Sequence, residues 1–153
     1  NAILLIIGFG KVEDELKELV VKMGVEDKVI FYGKVPFEDL FSYTKQADIG
    51  LLLERSFGLS FTYALPNKLF DYIHAELPII ASPLLEIKQI MDENEMGVII
   101  ENYNPKYLAD TINVMLNDVE KRKVWKANMV KVKQELNWEK ESEKLNKFFS
   151  DFL

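Results

Sequence analysis

The sequence predicts an α/β fold, a Rossmann-like open parallel sheet of about five strands with helices on both faces and a helical C-terminus. Short apolar runs alternate with segments whose apolar residues recur at helical spacing, along a chain of 153 residues. Each run is apolar throughout, as in strands that are covered on both faces. From Pro105 onward only helical patterns remain. We interpret residues 1–153 as a single domain.

The elements follow one another in a regular order. The apolar runs predict strands at residues 3–7, 29–32, 49–53, 78–81 and 97–100. Helices are predicted up to the stop signal Gly24 and from Pro36 to Ala47, since glycine often ends a helix and proline often begins one. Further helices are predicted at residues 66–75, 87–93, 107–116, 120–136 and 139–152.

Composition excludes several functions. The net charge is −6 and lysines alternate with acidic residues along the helices, which argues against nucleic-acid binding. The chain has no cysteine, which fits a cytoplasmic location. Its single histidine argues against a histidine-based metal site, and we expect no metal and no cofactor. No apolar run approaches the roughly 20 residues of a membrane span. The chain opens directly on a strand, which suggests a fragment of a longer protein.

Glycines follow the first predicted strand at the edge where such sheets bind ligands. Gly8 and Gly10 allow close approach of a ligand to the backbone, and the next helix N-terminus offers N–H groups to an anion. A tight turn from strand to helix explains the same residues equally well.

The segment at residues 65–72, LPNKLFDY, carries the strongest site pattern. Pro66 pre-sets a first helical turn, which leaves the N–H groups of Asn67, Lys68 and Leu69 pointing into the crevice. With the cation of Lys68 they form a candidate diphosphate site beside Leu65.

Asp71 lies one turn after Lys68 and can share its helix face, where a carboxylate suits ribose hydroxyls. On spacing alone, helix capping with an intrahelical pair between Lys68 and Asp71 is the favoured interpretation.

Several ordered segments together carry a family resemblance. They read LLIIGFG, KVIFYGKV, ADIGLL, LPIIAS and GVII, at residues 4–10, 28–35, 47–52, 77–82 and 97–100. In this order they resemble the C-terminal domain of group 1 glycosyltransferases, which are retaining, nucleotide-sugar-dependent enzymes of the GT-B architecture. Residues 65–72 resemble the subset with an "lPnKlfdY" helix in place of the usual two-glutamate motif.

The resemblance implies roles for particular residues. Asp71 stands where the family's second glutamate binds ribose, and the first glutamate would fall at Tyr63. Either Glu54 supplies that carboxylate or it is absent, and the resemblance favours absence. Tyr63 is expected to contact the sugar or simply to pack in its loop, and the loop at residues 60–67 to face the diphosphate and sugar.

Other implied roles are more distant from the sugar. Gly33, Lys34 and Val35 are expected to flank the nucleobase through backbone atoms. The resemblance assigns no role to His74, which we interpret as structural, and we expect Trp125 and Trp138 to pack between the C-terminal helices. Glu76 replaces a usual glycine and is expected at the surface.

The resemblance also implies a function for the parent protein. It is expected to transfer a sugar from a nucleotide-diphosphate-sugar, UDP-linked, to a polysaccharide, lipopolysaccharide or lipid-linked acceptor. The setting would be the bacterial cytoplasm, with peripheral association at the inner membrane face left open. Lys68 and Asp71 would act on the donor, and this chain by itself would bind donor weakly and transfer nothing. A non-catalytic nucleotide-binding or interaction domain and a UDP-sugar 2-epimerase-like domain remain the alternatives.

The resemblance further implies that parts of the protein lie elsewhere. An N-terminal acceptor domain, and a strand and helix with a diphosphate-binding Arg and Lys, would precede this chain. The strand would sit between the first and third strands seen here. Its absence would expose a sheet edge, which favours dimers or strand exchange.

Overall fold

A computed structural model of the chain describes residues 2–150. The backbone divides into two compact units, Asn1–Phe41 (unit 1) and Ser42–Leu153 (unit 2). The predicted end of the last helix at Phe152 lies outside the described residues.

Unit 1 contains a two-stranded parallel sheet. It holds β1 (Leu4–Ile7), α1 (Glu13–Met23) and β2 (Val29–Gly33), and α2 (Phe37–Gln46) begins in it. β1 pairs with β2 in the register Leu4 to Val29 and Leu5 to Ile30. The predicted stop at Gly24 is confirmed, because this residue adopts φ 65° and its N–H meets the last carbonyls of α1.

The prediction that every strand is covered on both faces is wrong for β1. Leu4 and Leu5 are 43% and 41% exposed, and every residue of α1 keeps some exposure. A sheet of two strands buries little apolar surface, so uniform hydrophobicity in β1 does not translate into burial here.

Unit 2 contains the larger sheet. Its strands are β3 (Gly50–Leu52), β4 (Ile79–Ala81) and β5 (Gly97–Ile99), all parallel, in the order β3-β4-β5. Its helices are α3 (Leu59–Thr62), α4 (Asn67–His74), α5 (Leu85–Asn94), α6 (Pro105–Asn117), α7 (Val119–Glu135) and α8 (Trp138–Ser150). The α/β class, the five parallel strands and the helical C-terminus are thus confirmed, whereas α3 was predicted as loop.

The described strands form two sheets rather than one continuous ladder. A continuous sheet needs a hydrogen-bonded neighbour at each inner edge. Among residues 2–150, no strand pairing links the β1-β2 sheet with the β3-β4-β5 sheet.

β4 is the centre of the core of unit 2. Ile79 and Ala81 belong to one buried cluster with Leu69, whereas Ile80 belongs to a second cluster with Trp125. Alternate strand residues point to opposite faces, so β4 is covered on both sides, as predicted.

The two tryptophans have different surroundings. Trp125 of α7 is 4% exposed and packs in the core, which confirms its structural role. Trp138, at the start of α8, is 71% exposed, so the expectation that it packs between the C-terminal helices is wrong. Aromatic character alone does not show which face of a helix finds a partner.

Candidate functional site

The carboxyl ends of β3, β4 and β5 lie at one edge of the sheet in unit 2, because the strands are parallel. The segment after β3 starts with Leu53 and Glu54 and leads through α3 to α4. The residues that the sequence marked between Tyr63 and Asp71 lie on this segment and on α4.

α4 begins at Asn67, directly after the extended N-cap residue Pro66, with φ −72° and ψ 143°. Pro66 offers no side-chain acceptor, so the first-turn N–H groups of Asn67 and Lys68 remain available to an anion. The N–H of Leu69, expected to point into the crevice, instead donates to the Pro66 carbonyl at 3.0 Å. The prediction of three free N–H groups at the start of α4 is therefore wrong for Leu69. The N–H groups of Asn67 and Lys68 remain, because the tight first turn uses the one of Leu69.

Lys68 forms an ion pair with Glu54, not the intrahelical pair with Asp71 that spacing favoured. Its Nζ lies 3.2 Å from Oε1 of Glu54, and the two side chains are 53% and 29% exposed. This contact joins the segment after β3 to the first turn of α4. It depends on tertiary structure, so helical spacing could not reveal it.

Asp71 is half-buried on α4. Burial raises the pKa of its carboxyl, and the nearby charge of His74 acts in the opposite direction. A partly desolvated carboxylate is a strong hydrogen-bond acceptor, so Asp71 suits hydroxyl donors such as those of a ribose.

Tyr72 fixes α4 against the sheet. Its hydroxyl donates to the Leu51 carbonyl at 3.3 Å, and its ring lies against Gly50 of β3, where an added Cβ would meet ring atoms at 2.7–2.9 Å. Burial raises the pKa of the Tyr72 hydroxyl, and the charges of Asp71 and Glu54 raise it further. The close approach of ring and backbone is possible because residue 50 is a glycine.

Tyr103, in the loop after β5, is a site neighbour that sequence reasoning missed. Its hydroxyl donates to the backbone carbonyl of Glu54 at 2.8 Å, and the guanidinium carbon of Arg55 lies 4.5 Å from its ring centroid. The only sequence signal was the position of residues 101–104 beyond a strand end. Tyr103 thus holds the start of the segment after β3.

The loop between β3 and α4 exposes its aromatic residues. Tyr63 directly follows α3 and is exposed, as is Leu65. Hydrogen bonds among Ser56, Gly58 and Thr62 hold this loop. The exposure of Tyr63 leaves it accessible, and its contact with a sugar stays a prediction.

The remaining predicted site residues belong to unit 1, at the carboxyl ends of β1 and β2. The N–H of Gly8 donates to the Gly33 carbonyl at 2.8 Å, and both glycines have positive φ, 126° and 79°. Added Cβ atoms at Gly8, Gly10 and Gly33 would meet no heavy atom within 4 Å. Conformation therefore explains Gly8 and Gly33, since other residues rarely adopt these angles.

Lys34 and Val35 directly follow β2. The Nζ of Lys34 lies 5.8 Å from the ring centroid of the exposed Phe9. A nucleobase contact by Gly33, Lys34 and Val35 stays a prediction.

Two residues of unit 2 connect the site helix to the rest of the core. The Nε2 of His74 lies 3.0 Å from the Leu136 carbonyl, which agrees with its structural interpretation. Glu76 adopts φ 57°, which explains why a glycine suits this position, and it pairs with Lys133. The hydrogen bond from Lys133 lowers the pKa of Glu76. Glu76 was expected at the surface. The structure places it instead in a partly buried ion pair with Lys133.

Within residues 2–150, no group of histidine, cysteine and acidic side chains is arranged to hold a metal ion. Among the helices of the same residues, none has the length and apolar character needed to cross a membrane.

Comparison with protein families decides where the chain belongs. The model of the family "Glycosyl transferases group 1" matches residues 1–132. The chain belongs to this family. The resemblance inferred from ordered sequence segments is thereby confirmed at the family level.

Relatives of this group 1 glycosyl transferase chain have diverged strongly. An uncharacterized glycosyltransferase of Methanocaldococcus jannaschii is 24% identical over 96% of the chain and 36% of the relative. The D-inositol 3-phosphate glycosyltransferase of Corynebacterium efficiens is 24% identical over 88% of the chain and 30% of the relative. The amylovoran biosynthesis glycosyltransferase AmsK of Erwinia amylovora is 28% identical over 68% of the chain and 26% of the relative. The chain thus spans about a third of the length of curated relatives that it matches.

Solved structures share the fold of this group 1 glycosyl transferase chain. Anabaena Alr3699/HepE in complex with UDP matches with a TM-score of 0.79 at 17% identity, over 98% of this chain and 41% of that one. WaaG, a glycosyltransferase involved in lipopolysaccharide biosynthesis, matches with a TM-score of 0.67 at 21% identity, over 88% and 34%. At these identities the likeness shows the fold alone.

Proposed function

We propose that the full protein transfers a sugar from a nucleotide-diphosphate-sugar to an acceptor, and that this chain holds the donor. The observation that carries the proposal is the start of α4, where two unused N–H groups and the cation of Lys68 precede Asp71 on one short helix. Anions bind at such helix starts, and a carboxylate one turn further on can bind the adjoining ribose.

The chemistry assigns a role to each group. Lys68 and the N–H groups of α4 would neutralise the diphosphate as it leaves the sugar, which is electrostatic catalysis. Asp71 would orient the ribose, and Tyr63 with Leu65, Pro66 and Asn67 would line the diphosphate and sugar. With a cation and a helix N-terminus in this role, the proposed reaction calls for no metal ion.

Unit 1 has a separate part in the proposal. Gly8 and Gly10 would let the donor approach the backbone, and Gly33, Lys34 and Val35 would flank the nucleobase. UDP is the proposed nucleotide because a solved structure of the same fold holds UDP and related ones hold UDP with glucose or UDP-glucose.

The acceptor would bind to parts of the protein outside this chain. We propose a polysaccharide or lipopolysaccharide acceptor, since similar proteins are named for amylovoran and lipopolysaccharide biosynthesis. We further propose that the reaction retains the configuration at the anomeric carbon and that an N-terminal domain binds the acceptor. The proposed setting is the bacterial cytoplasm, with peripheral association at the inner membrane face. Dimers through a sheet edge belong to the same proposal.

Titration of the chain with UDP, measured by isothermal titration calorimetry, tests the site. Lys68→Ala and Asp71→Asn should each weaken binding about 10- to 100-fold, the usual loss for one charged hydrogen bond. The matched control is Lys106→Ala, which removes an exposed lysine that pairs with Asp110 at 3.4 Å on α6. Equal affinity of all variants would contradict the site.

The reaction itself needs the full-length protein. Release of UDP together with transfer of the sugar to an acceptor is expected. Epimerisation of a UDP-sugar without transfer would contradict the proposal.

A further inference from the structure

Glu54 and Lys68 form an ion pair at the proposed donor site. The Nζ of Lys68 lies 3.2 Å from Oε1 of Glu54. The cation that would meet a diphosphate therefore has a carboxylate partner in the structure. While the ion pair persists, the carboxylate occupies part of the ammonium surface that a diphosphate would contact.

The structure holds the backbone of Glu54 more firmly than its side chain. The hydroxyl of Tyr103 donates to the Glu54 carbonyl at 2.8 Å, and the guanidinium of Arg55 packs over the ring of Tyr103. The ion pair, in contrast, joins side chains that are 29% and 53% exposed, and pairs of this kind are weak. Rotation about the side-chain bonds of Glu54 can break the pair without moving the backbone.

We propose that Glu54 is a displaceable counter-ion of Lys68, which a nucleoside diphosphate replaces and which sets how tightly the site holds that product. The proposal rests on the proposed function. A diphosphate carries more negative charge than one carboxylate, so it wins the competition for Lys68. The free energy needed to break the ion pair is subtracted from the free energy of diphosphate binding. Glu54 thereby weakens binding of the free nucleoside diphosphate and favours its release.

The test compares UDP binding by the full chain and by Glu54→Gln, which keeps the shape and removes the charge. We expect Glu54→Gln to bind UDP about 3- to 5-fold more tightly at low salt, with the gain shrinking as salt weakens the ion pair that UDP must otherwise break. The matched control is Glu76→Gln, which also removes a carboxylate from a partly buried lysine pair, with Lys133, and changes the net charge equally. Its UDP affinity should stay within about twofold of the original chain.

A double-mutant cycle with Lys68→Ala identifies the cation that carries the effect. Glu54→Gln should bring little or no gain in the Lys68→Ala background, since no ammonium remains for which carboxylate and diphosphate compete. An equal gain in that background would overturn the proposal. Unchanged or weaker UDP binding by Glu54→Gln would also overturn it, since Glu54 would then be neutral or would position Lys68.

Failure of this inference differs from failure of the proposed function. If Lys68→Ala weakens UDP binding but Glu54→Gln does not strengthen it, the donor site stands and the counter-ion role is refuted. If UDP binds and Lys68→Ala does not change its affinity, both the donor-site assignment and the counter-ion role are refuted. Absence of UDP binding in both the original chain and Glu54→Gln overturns both.

Discussion

The contact between Gly50 and Tyr72 predicts that Gly50→Ala destabilises unit 2. An added Cβ would lie 2.7 Å from Cδ2, 2.8 Å from Cε2 and 2.9 Å from Cγ of Tyr72, well inside ordinary contact. The ring must shift, which costs about 1–3 kcal/mol as overpacking. The shift also breaks the hydrogen bond from Tyr72 to the Leu51 carbonyl, which adds about 1 kcal/mol.

The free energy of unfolding should therefore fall by about 2–4 kcal/mol, which corresponds to a decrease of about 5–15 °C in Tm. Alanine otherwise suits a strand better than glycine, so without the clash the substitution would stabilise the chain slightly. Because Tyr72 follows Asp71 on α4, we also expect weaker UDP binding at temperatures where the variant stays folded.

Urea denaturation followed by circular dichroism measures the effect. Gly10→Ala is the control, since its Cβ meets no heavy atom within 4 Å. It should change stability by less than about 0.5 kcal/mol. In a Tyr72→Leu background, Gly50→Ala should cost much less, because the ring that it meets is gone. Equal stability of Gly50→Ala and Gly10→Ala would refute the reasoning.

Three further predictions concern charges and hydrogen bonds around the site. Burial raises the pKa of Asp71, so its charge destabilises the fold above the raised pKa, and this penalty disappears as pH falls through the raised pKa. Asp71→Asn should therefore be slightly more stable than the original chain near neutral pH and equally stable in acid, as measured by urea denaturation. The Lys133 hydrogen bond lowers the pKa of Glu76, so its stabilisation is present above the ordinary pKa and is lost as pH falls through the lowered one. Glu76→Gln should cost about 0.5 kcal/mol near neutral pH and nothing in acid, again by urea denaturation. Tyr103→Phe removes the donor to the Glu54 carbonyl and should lower the free energy of unfolding by about 1 kcal/mol, measured by thermal unfolding.

Each of these predictions has a control or a contrary result. Asp92→Asn changes an exposed carboxylate of α5 that pairs with Lys88 on the helix surface, and it should change stability by less than about 0.5 kcal/mol at each pH. A less stable Asp71→Asn at neutral pH would show that the charge of Asp71 stabilises the fold. Glu120→Gln, whose partner Lys123 is mostly exposed, should cost less than Glu76→Gln. An unaltered Tm for Tyr103→Phe would mean that water replaces the hydroxyl at no cost.

Sequence patterns were sufficient for the strands and for most helices. The runs at residues 29–32 and 78–81 coincide closely with β2 and β4, because short apolar runs between turn signals leave few alternatives. The short helix α3 was missed, since the hydrogen bonds within its loop involve serine and threonine side chains that are common in any turn.

The candidate site was predicted less completely. Lys68 and Asp71 could be proposed because both lie on one helix whose start is marked by proline. Glu54 and Tyr103 lie 14 and 35 residues from Lys68 along the chain (68 − 54 and 103 − 68), and tertiary structure brings them to the same edge. No local pattern contains that information.

Local periodicity and ordered motifs were enough to predict the order of most elements, the family, and a helix opening at Pro66, one residue before its observed start at Asn67. The charge that faces Lys68, in contrast, is set by contacts between distant segments. Helical spacing offered Asp71, but the parallel pairing of β3 with β4 and the packing of Tyr72 on Gly50 bring Glu54 to the ammonium instead. Contacts between distant segments follow from the packing of the core, and that packing is set by shape and burial rather than by spacing along one helix.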